Sequence, residues 1–214
     1  MTSLLEFKGW PKTPRLNRDM IITEKIDGTN AAVIVKALSD DLNLTEVLAE
    51  GDANGKIVDV NGVTYVVGAQ SRKRVVTPLS DNFGFASWVW LNAEALAGAL
   101  GEGYHYGQWW GSGVQRGYGI QRGKKFFSLF NVHRYANIDF VGLGLPDVAL
   151  VPVLYQGPFS TETINNVLIG LKRSGSYLAD WPSEGLVVFH SASGQIYKVL
   201  TENDEISKTE AGVS

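Results

Sequence analysis

The segment Glu24–Asn30 places a lysine between two carboxylates, immediately before a glycine turn. A lysine amine becomes a nucleophile when desolvation or nearby cations favour its neutral form. Lys25, between a predicted strand and the Asp27-Gly28 turn, is therefore a candidate for covalent catalysis at phosphorus or carbonyl centres. By itself the Lys-x-Asp-Gly pattern is short, and a structural turn with a solvated lysine is the better explanation of it taken alone.

Further segments that suit phosphate chemistry follow Lys25 in a fixed order. They combine basic, aromatic and acidic residues at strand ends: Ser71-Arg72, Tyr106–Gly111, Phe127–Asn131, Glu184–Val188 and Tyr197–Val199. With Lys25–Gly28, this series resembles motifs I, Ia, III, IIIa, IV and V of the covalent nucleotidyltransferases, a superfamily of DNA ligases, RNA ligases and mRNA-capping enzymes. Lys25–Asn30 is most similar to the Lys-x-[Asp/His]-Gly-Thr-Asn motif of RNA ligases related to the second T4 RNA ligase and to the RNA-editing ligases. The resemblance extends over about residues 20 to 200.

The resemblance implies an ATP-dependent RNA ligase. In its chemistry Lys25 attacks the α-phosphorus of ATP and forms a lysyl-AMP, which is then transferred to the 5′-phosphate of an RNA. A 3′-hydroxyl finally displaces AMP and seals the strand. Such phosphoryl transfers depend mainly on positioning and charge neutralisation.

The same resemblance implies roles for individual residues around ATP. Glu24 would accept a hydrogen bond from the adenine amine, and Phe127 would stack on the base. Ile26 would contribute to the nucleotide pocket. Gln108 would contact the ribose, and Arg72 would hold a phosphate or the ribose.

Three more residues are implied at the phosphates. Lys198 would neutralise the α-phosphate during transfer, and Asn30 would position the phosphate in the sealing step. Glu184 would be a ligand of a divalent metal, with Mg²⁺ favoured by oxygen ligands and Mn²⁺ as an alternative. Each has a structural alternative: Phe127 in the core, Glu184 as a surface strand-end carboxylate, and Arg72 in a solvated charge run.

The chain departs from the resembling motifs at three positions. Gln108 replaces the usual glutamate of motif III, so a contact to the ribose loses charge assistance. Leu200 replaces the second lysine of motif V, which removes one cation from the phosphate site. Asn131 replaces an acid at the end of motif IIIa. These departures leave open a nucleotide- or RNA-binding module that has lost sealing activity.

The charge distribution favours a polyanionic partner even though the formal net charge is −3. Residues 1–36 and 61–125 have a basic excess, whereas residues 37–60 and 126–214 have an acidic one. A local basic field can attract phosphates on an acidic protein. The expected RNA contacts are Arg74, in the basic cluster that follows the strand over 64–69, and the residues beside the glycine-rich run after residue 110: Arg116, Arg122, Lys124 and Lys125. Ordinary scattered surface charge remains the alternative.

Composition narrows the class of protein. The chain has 214 residues with 44% hydrophobic and 19% charged, which suits one sizeable folded domain. Without cysteine, disulfides, thiolate metal sites and thiol catalysis are excluded. No apolar run is long enough for a membrane span, and the first residues lack a signal-peptide pattern. We therefore expect a cytoplasmic protein that makes no membrane contact.

The elements that must position these residues follow from the residue patterns. Residues 20–25 and 31–36 predict two strands that pair as a hairpin with Lys25 at its bend. Residues 38–62 predict an exposed excursion, and residues 83–100 predict one helix capped by Asp81 or Asn82 and ended by Gly101. Further strands are expected over 64–69, 105–110, 125–132, 149–155, 185–189 and 195–200, and a second helix over 161–173, capped by Ser160 and stopped by Gly175.

This pattern predicts an α+β fold with mostly antiparallel sheets and flanking helices, as in a ligase-type adenylation domain. We expect residues 1–200 to form that domain and residues 201–214 a polar tail. The length leaves no room for an OB-fold or a C-terminal RNA-binding domain, so an accessory protein is a possible partner for RNA binding. A DNA ligase or a GTP-using capping enzyme is the alternative within the superfamily.

Overall fold

A computed structural model describes residues 6–38, 54–202 and 204. Two sheets, mostly antiparallel, and three α-helices form the fold, which confirms the predicted α+β class. The strands are β1 (Asp19–Lys25), β2 (Thr29–Ala37), β3 (Gly55–Val60), β4 (Val63–Ser71), β5 (Val75–Val76), β6 (Gly103–Gly111), β7 (Lys125–Leu129), β8 (Val148–Leu150), β9 (Val153–Pro158), β10 (Gly185–His190) and β11 (Gln195–Leu200). The helices are α1 (Phe85–Leu91), α2 (Ala93–Leu100) and α3 (Thr161–Ser174), with short 3-10 turns at Pro78–Ser80 and Gly117–Gly119.

The larger sheet has seven strands and is covered on one face by α1 and α2. Its order is β3-β4-β2-β6-β7-β8, with β5 paired to β4. Alternate residues of a strand point to opposite faces, so Ala31, Val33 and Val35 of β2 are buried with Phe85 and Leu96 of the helices. This helix-facing side holds the main core, and the opposite side of the sheet is available for a site.

The smaller sheet has four strands in the order β11-β10-β1-β9. Met20 and Ile22 of β1 are fully buried and pack with Leu186 of β10 and Leu171 of α3. Ser160 caps α3, because its side chain accepts a hydrogen bond from the Thr163 backbone N–H, and Gly175 ends the helix. Both predicted boundaries of this helix are confirmed.

The predicted hairpin around Lys25 is wrong. β1 pairs with β9 and β10, whereas β2 pairs with β4 and β6, so the two strands belong to different sheets. The short Ile26–Gly28 segment therefore passes from one sheet to the other. The chain does bend at Asp27-Gly28 as predicted. A glycine turn, however, does not determine whether the two flanking strands pair with each other.

Three other predicted elements need correction. Within residues 38–62, Gly55–Val60 is a paired strand rather than an excursion, and residues 39–53 lie outside the described part. The predicted single helix over 83–100 is divided at Asn92 into α1 and α2. The predicted strand over 149–155 is divided into β8 and β9, which lie in different sheets.

The remaining sequence predictions are largely confirmed. Gly101 ends α2, and the strands predicted over 64–69, 105–110, 185–189 and 195–200 are present. The strand predicted over 125–132 is shorter and ends at Leu129. Most of the predicted tail, residues 201–214, lies outside the described part. Among the described residues, no helix is long and apolar enough to cross a membrane.

Candidate active site

Lys25 is the last residue of β1 and lies opposite Gly185, the first residue of β10. Its Nζ is 2.6 Å from Oε2 of Glu184, the residue just before β10. Both side chains are largely shielded from solvent. Because β1 and β10 are antiparallel neighbours, the end of one strand meets the start of the other. The pairing register therefore brings together two residues that are far apart in sequence.

Glu24 is 1% exposed, although it is a charged residue next to the site. Its Oε2 accepts a hydrogen bond of 2.9 Å from the Tyr177 backbone N–H. Its Oε1 is buried and has no hydrogen-bond partner in the described residues. A buried carboxylate oxygen without a partner is costly unless a ligand satisfies it. This oxygen is therefore available for an external donor.

The turn after Lys25 is held by residues of the glycine-rich segment that follows β6. The Asp27 backbone N–H donates to the Tyr118 hydroxyl at 2.7 Å, and Oδ2 of Asp27 is 3.2 Å from Nε of Arg116. Burial raises the pKa of the Tyr118 phenol above its usual value, so the hydroxyl stays neutral. Tyr118 has a φ of 51°, in the left-handed region that side chains rarely adopt. This segment therefore fixes the backbone next to Lys25.

A separate apolar cluster lies beneath this turn. It contains Ile26, Trp110, Tyr118 and Val151, with Phe126 packed against it. The rings of Trp110 and Phe126 have centroids 4.9 Å apart, and those of Trp110 and Tyr118 are 5.3 Å apart. Ile26 is thus a packing residue that anchors the segment between the two sheets, and its side chain is buried in this cluster.

Gln108 and Asn30 lie at the end of the larger sheet that is next to this segment. They are opposite each other on β6 and β2, and Gln108 is buried whereas Asn30 is exposed. A Cβ on Gly28 would lie 2.5 Å from the Trp109 carbonyl oxygen and 3.1 Å from Cγ of Gln108. The turn therefore packs directly against β6, and only glycine fits there.

Two predicted phosphate-binding residues are exposed near this region. Ser71 lies opposite Ala31, so Arg72 follows at the level of Asn30. Lys198 lies opposite Val187, which lies opposite Thr23. Because alternate residues share a face, Lys198 and Lys25 are on the same side of the smaller sheet, two strands across and two residues along, or about 12 Å apart. Lys198 thus shares a sheet face with Lys25, whereas Arg72 lies at the level of Asn30 on the larger sheet, and neither makes an ion pair among the described residues.

Phe127 is not brought to this region. Its side chain is 0% exposed and lies on the helix-facing side of the larger sheet, where its ring packs with Phe85, Trp88 and Trp109. Phe127 is therefore a core residue, which was the alternative to its role of stacking on the base. The strand alternation puts Phe126, on the opposite face with Trp110, toward the apolar cluster. A one-residue difference in register decides which aromatic can face a ligand.

The five basic residues expected to contact RNA fall into two groups. Three make local contacts: Arg74 donates to Ser80, Arg116 pairs with Asp27, and Nζ of Lys125 donates to the Phe83 carbonyl at 2.6 Å. Arg122 and Lys124 are exposed and make no ion pair within the described ranges. Arg116 was expected to contact RNA, but in the structure it pairs with the turn that follows Lys25, while its side chain stays 53% exposed.

A divalent metal would have one carboxylate available here. Among the described residues, no group of three or more His, Asp or Glu side chains could hold a metal by itself. Mg²⁺ in phosphoryl-transfer sites uses one or two carboxylates together with waters and substrate phosphates. Glu184, whose Oε2 already contacts a cation, fits that type of partial site.

Some contributors were missed by the sequence reasoning. Tyr118, the Tyr177 backbone and Asn82 each contact the 24–29 segment: Tyr118 at Asp27, Tyr177 at Glu24, and Asn82 through Nδ2, which donates to Oγ1 of Thr29 at 3.2 Å. The N-cap of α1 is Gly84 and not Asp81 or Asn82 as predicted, but the Asp81 carboxylate still accepts from the first-turn backbone N–H groups of Ala86 and Ser87. Only Asp81 had a local signal, because the others depend on long-range contacts.

Sequence comparison identifies the family. A family model described as RNA ligase matches residues 18–200. Because this match covers most of the chain, the protein belongs to the RNA ligase family. A search of curated proteins gives no significant match.

Solved structures with the same fold include variants of a Naegleria gruberi RNA ligase. One with ATP and Mn has a TM-score of 0.55 and 16% identity, with coverage of 87% of this chain and 51% of that chain. One with AMP and Mn has a TM-score of 0.55 and 16% identity, covering 87% and 50% of the two chains. An apo variant has a TM-score of 0.53 and 16% identity, with the same coverage. The chain thus spans about half the length of these relatives, and the likeness establishes the fold.

Proposed function

We propose that this protein is an ATP-dependent RNA ligase that forms a covalent AMP adduct on Lys25 and joins 5′-phosphate and 3′-hydroxyl RNA ends. The main observation is the contact between Lys25 and Glu184, which brings motifs I and IV within 2.6 Å of each other. A buried Glu24 with an unpartnered oxygen lies beside it. Family membership supports RNA as the strand that is joined.

The proposed reaction begins with the amine of Lys25. The ammonium must first lose a proton to solvent, since a protonated amine has no electron pair for attack. The amine then forms a bond to the α-phosphorus of ATP and releases a second proton to solvent, while the bond from the α-phosphorus to the oxygen bridging to the β-phosphate breaks and pyrophosphate leaves. The Glu184 carboxylate holds the lysine at the strand end before nucleotide binds, so the nucleophile is positioned in advance.

Two further transfers complete the proposed sequence. An oxygen of the RNA 5′-phosphate attacks the AMP phosphorus, the phosphorus–nitrogen bond breaks, and Lys25 takes back a proton. The RNA 3′-hydroxyl then attacks the activated 5′-phosphorus, forms the phosphodiester and releases AMP. Lys198 and Arg72 are the proposed cations for the negative charge that develops, with Asn30 positioning the phosphate of the second strand.

The nucleotide pocket is proposed from the residues around the turn. Oε1 of Glu24 would accept from the adenine amine, and Gln108 would contact the ribose. We transfer the proposed stacking role from Phe127 to Phe126, because Phe127 faces the core. Glu184 would also bind Mg²⁺ or Mn²⁺, which supplies charge neutralisation on the phosphates when present.

Residues 1–200 are proposed as the adenylation domain, and residues 201–214 as a polar tail. Arg122 and Lys124 are the basic residues proposed to contact the RNA backbone, since phosphate contacts position a strand without specifying its sequence. Sealing should then fall steeply as salt is added. Equal sealing at low and moderate salt would contradict the proposal that Arg122 and Lys124 bind the RNA backbone.

The second candidate is a binding module without sealing activity. Gln108 and Leu200 favour it, because each removes a charge expected at the nucleotide. The two candidates differ in covalent chemistry. Incubation with ATP labelled at the α-phosphate and Mg²⁺, followed by a denaturing gel, should give a labelled protein that is absent for Lys25→Ala. RNA sealing by the same preparation establishes the ligase, and an adduct-free, folded wild type would indicate the binding module.

A further inference from the structure

Tyr104 and Tyr106 form an exposed aromatic pair on β6. Their side chains are 54% and 53% exposed, their ring centroids are 6.3 Å apart, and their planes lie within 16° of parallel. His105, between them, is buried on the helix-facing side. The two tyrosines therefore lie on the opposite, open face of the larger sheet, where no helix of the described residues covers them.

The neighbouring strand positions leave this pair accessible. Tyr106 lies opposite the buried Ala32 of β2, and Tyr104 lies opposite Ile34. On the next strand, Ile34 lies opposite Gly68, which has no side chain. The residues beside the tyrosine rings on this face are therefore apolar: Ala32, Ile34 and Gly68. The Phe130 backbone N–H donates to the Tyr106 carbonyl, so the chain next to Tyr106 carries a further aromatic residue, 42% exposed.

The pair is continuous with the candidate active site. Gln108 is the next residue of β6 on the same face, and it lies opposite Asn30. Two residues of a strand advance by about 6.8 Å. A nucleic-acid strand whose end lies at Asn30 would therefore meet Tyr106 within about one nucleotide and Tyr104 within about two.

An exposed cation flanks the far end of the pair. Lys36 is the next residue of β2 after Ile34 on the same face, and its side chain is exposed. The Arg134 guanidinium lies on the opposite, helix-facing side, near Gly103 and over the Tyr135 ring, so it does not belong to this face. Glu102 is the acidic residue at this end, and its Oε1 accepts from the Ala37 backbone N–H. With Arg72 at the level of Asn30, basic residues lie at both ends of the aromatic pair.

We propose that Tyr104 and Tyr106 form a stacking platform for unpaired RNA bases next to the strand end that is joined. Exposed aromatics on a sheet face are a common way of binding single strands, because every base has a flat face for stacking. Two exposed rings with Lys36 beyond one end and Arg72 at the other suit a nucleic acid better than a broad apolar protein surface. This inference rests on the proposed RNA ligase function.

The test measures binding of a fluorescent single-stranded RNA with a 5′-phosphate, by anisotropy at low salt. Tyr104→Ala and Tyr106→Ala should each lower affinity about 5- to 100-fold, whereas Tyr104→Phe and Tyr106→Phe should stay within about twofold. Tyr197→Ala is the matched control, since Tyr197 is 55% exposed but lies on the other sheet. Lys25 labelling from α-labelled ATP should be unchanged in every tyrosine variant.

The outcomes separate this platform from the proposed function. If the alanine variants bind RNA as tightly as the wild type while Lys25 is still labelled, the platform is overturned and the ligase proposal stands. Joint loss of RNA affinity and label would also overturn the platform, because the tyrosines would then act through the fold or the nucleotide site. Tyrosine-dependent RNA binding without any label would support the platform and contradict the lysyl-adenylate.

Discussion

Lys25 and Glu184 form an ion pair of 2.6 Å where the end of β1 meets the start of β10. Lys25 ends a paired strand, and Glu184 directly precedes one, with its backbone carbonyl accepting a hydrogen bond from the Thr201 N–H. The two side chains form an ion pair in a largely shielded position, although the geometry at Oε2 of Glu184 is not that of a hydrogen bond. Any nucleotide or metal that enters must compete with this contact.

Glu184→Gln should slow formation of the Lys25 adduct, because it removes the carboxylate proposed to position the lysine and to bind the divalent metal. The amide keeps the shape but removes the charge, and a hydrogen bond to a charged group contributes about 1.5–3 kcal/mol, so the rate should fall about 10- to 100-fold. The measurement is single-turnover labelling from α-labelled ATP. Glu162→Gln, at an exposed helix start, is the control, and equal rates for Glu184→Gln and wild type would show that the carboxylate has no role in this step.

Tyr118→Phe should weaken the support of the active-site turn. Removal of the hydroxyl leaves the Asp27 backbone N–H without its 2.7 Å partner, and an unsatisfied buried group costs about 1–3 kcal/mol. We expect a lower free energy of unfolding and slower adduct formation. Denaturant unfolding and single-turnover labelling measure the two effects.

Tyr135→Phe is the control for Tyr118, because it loses a hydrogen bond to His105 far from the turn. It should lower stability without slowing adduct formation. If both phenylalanine variants slow labelling equally, Tyr118 has no special role in positioning Lys25.

Gly28→Ala should damage the site by steric overlap. The added Cβ would lie 2.5 Å from the Trp109 carbonyl oxygen and 2.9 Å from Cβ of Trp110. Both belong to a paired strand, so relief requires a backbone shift that costs about 1–3 kcal/mol. Gly170→Ala in α3 meets no atom within 4 Å and should stabilise the helix by up to about 1 kcal/mol. Similar unfolding curves for the two variants would contradict this packing.

The free energy of unfolding should decrease in acid because of His105. Burial lowers the pKa of this imidazole to about 4, from 6.5 in the unfolded chain. The neutral ring satisfies both its nitrogens, one with the Gly101 carbonyl and the other with the Tyr135 hydroxyl. Between pH 6.5 and 4 the unfolded state binds one more proton than the folded state. The free energy of unfolding is therefore unaffected by this group above pH 6.5, and it falls by about 1–3 kcal/mol as the pH decreases to 4.

Denaturant midpoints measured across that window test the assignment to His105. His105→Gln should have a weaker dependence on pH than the wild type between pH 6.5 and 4. An unchanged dependence in this variant would assign the acid sensitivity to other groups.

The sequence predicted most elements, and the errors share one cause. Ser160, Gly101 and Gly175 act through neighbouring residues, so the helix ends could be located from local patterns. The separation of β1 from β2 into different sheets depends on β10 and β6, which lie far away in the chain. Local alternation could not reveal those partners.

In the candidate site too, the features that follow from local sequence were predicted and those that depend on distant strands were not. The approach of Glu184 to Lys25 agrees with the ordered motif series, whereas Phe127 lies on the core side because strand register determines which residues share a face. Tyr118 gave no local signal. Its contact with Asp27 depends on the path of the glycine-rich segment and on a left-handed backbone at Tyr118 itself.

The central claim is that Lys25 forms the covalent adduct with AMP. The most direct measurement is intact mass followed by peptide mapping, on wild type and Lys25→Arg, before and after incubation with ATP and Mg²⁺. We predict that the wild type gains the mass of one AMP on the peptide that contains Lys25, and that pyrophosphate reverses the gain. Lys25→Arg should gain nothing while staying folded. An adduct on another residue, or an unmodified wild type that still binds ATP, would contradict the proposed mechanism.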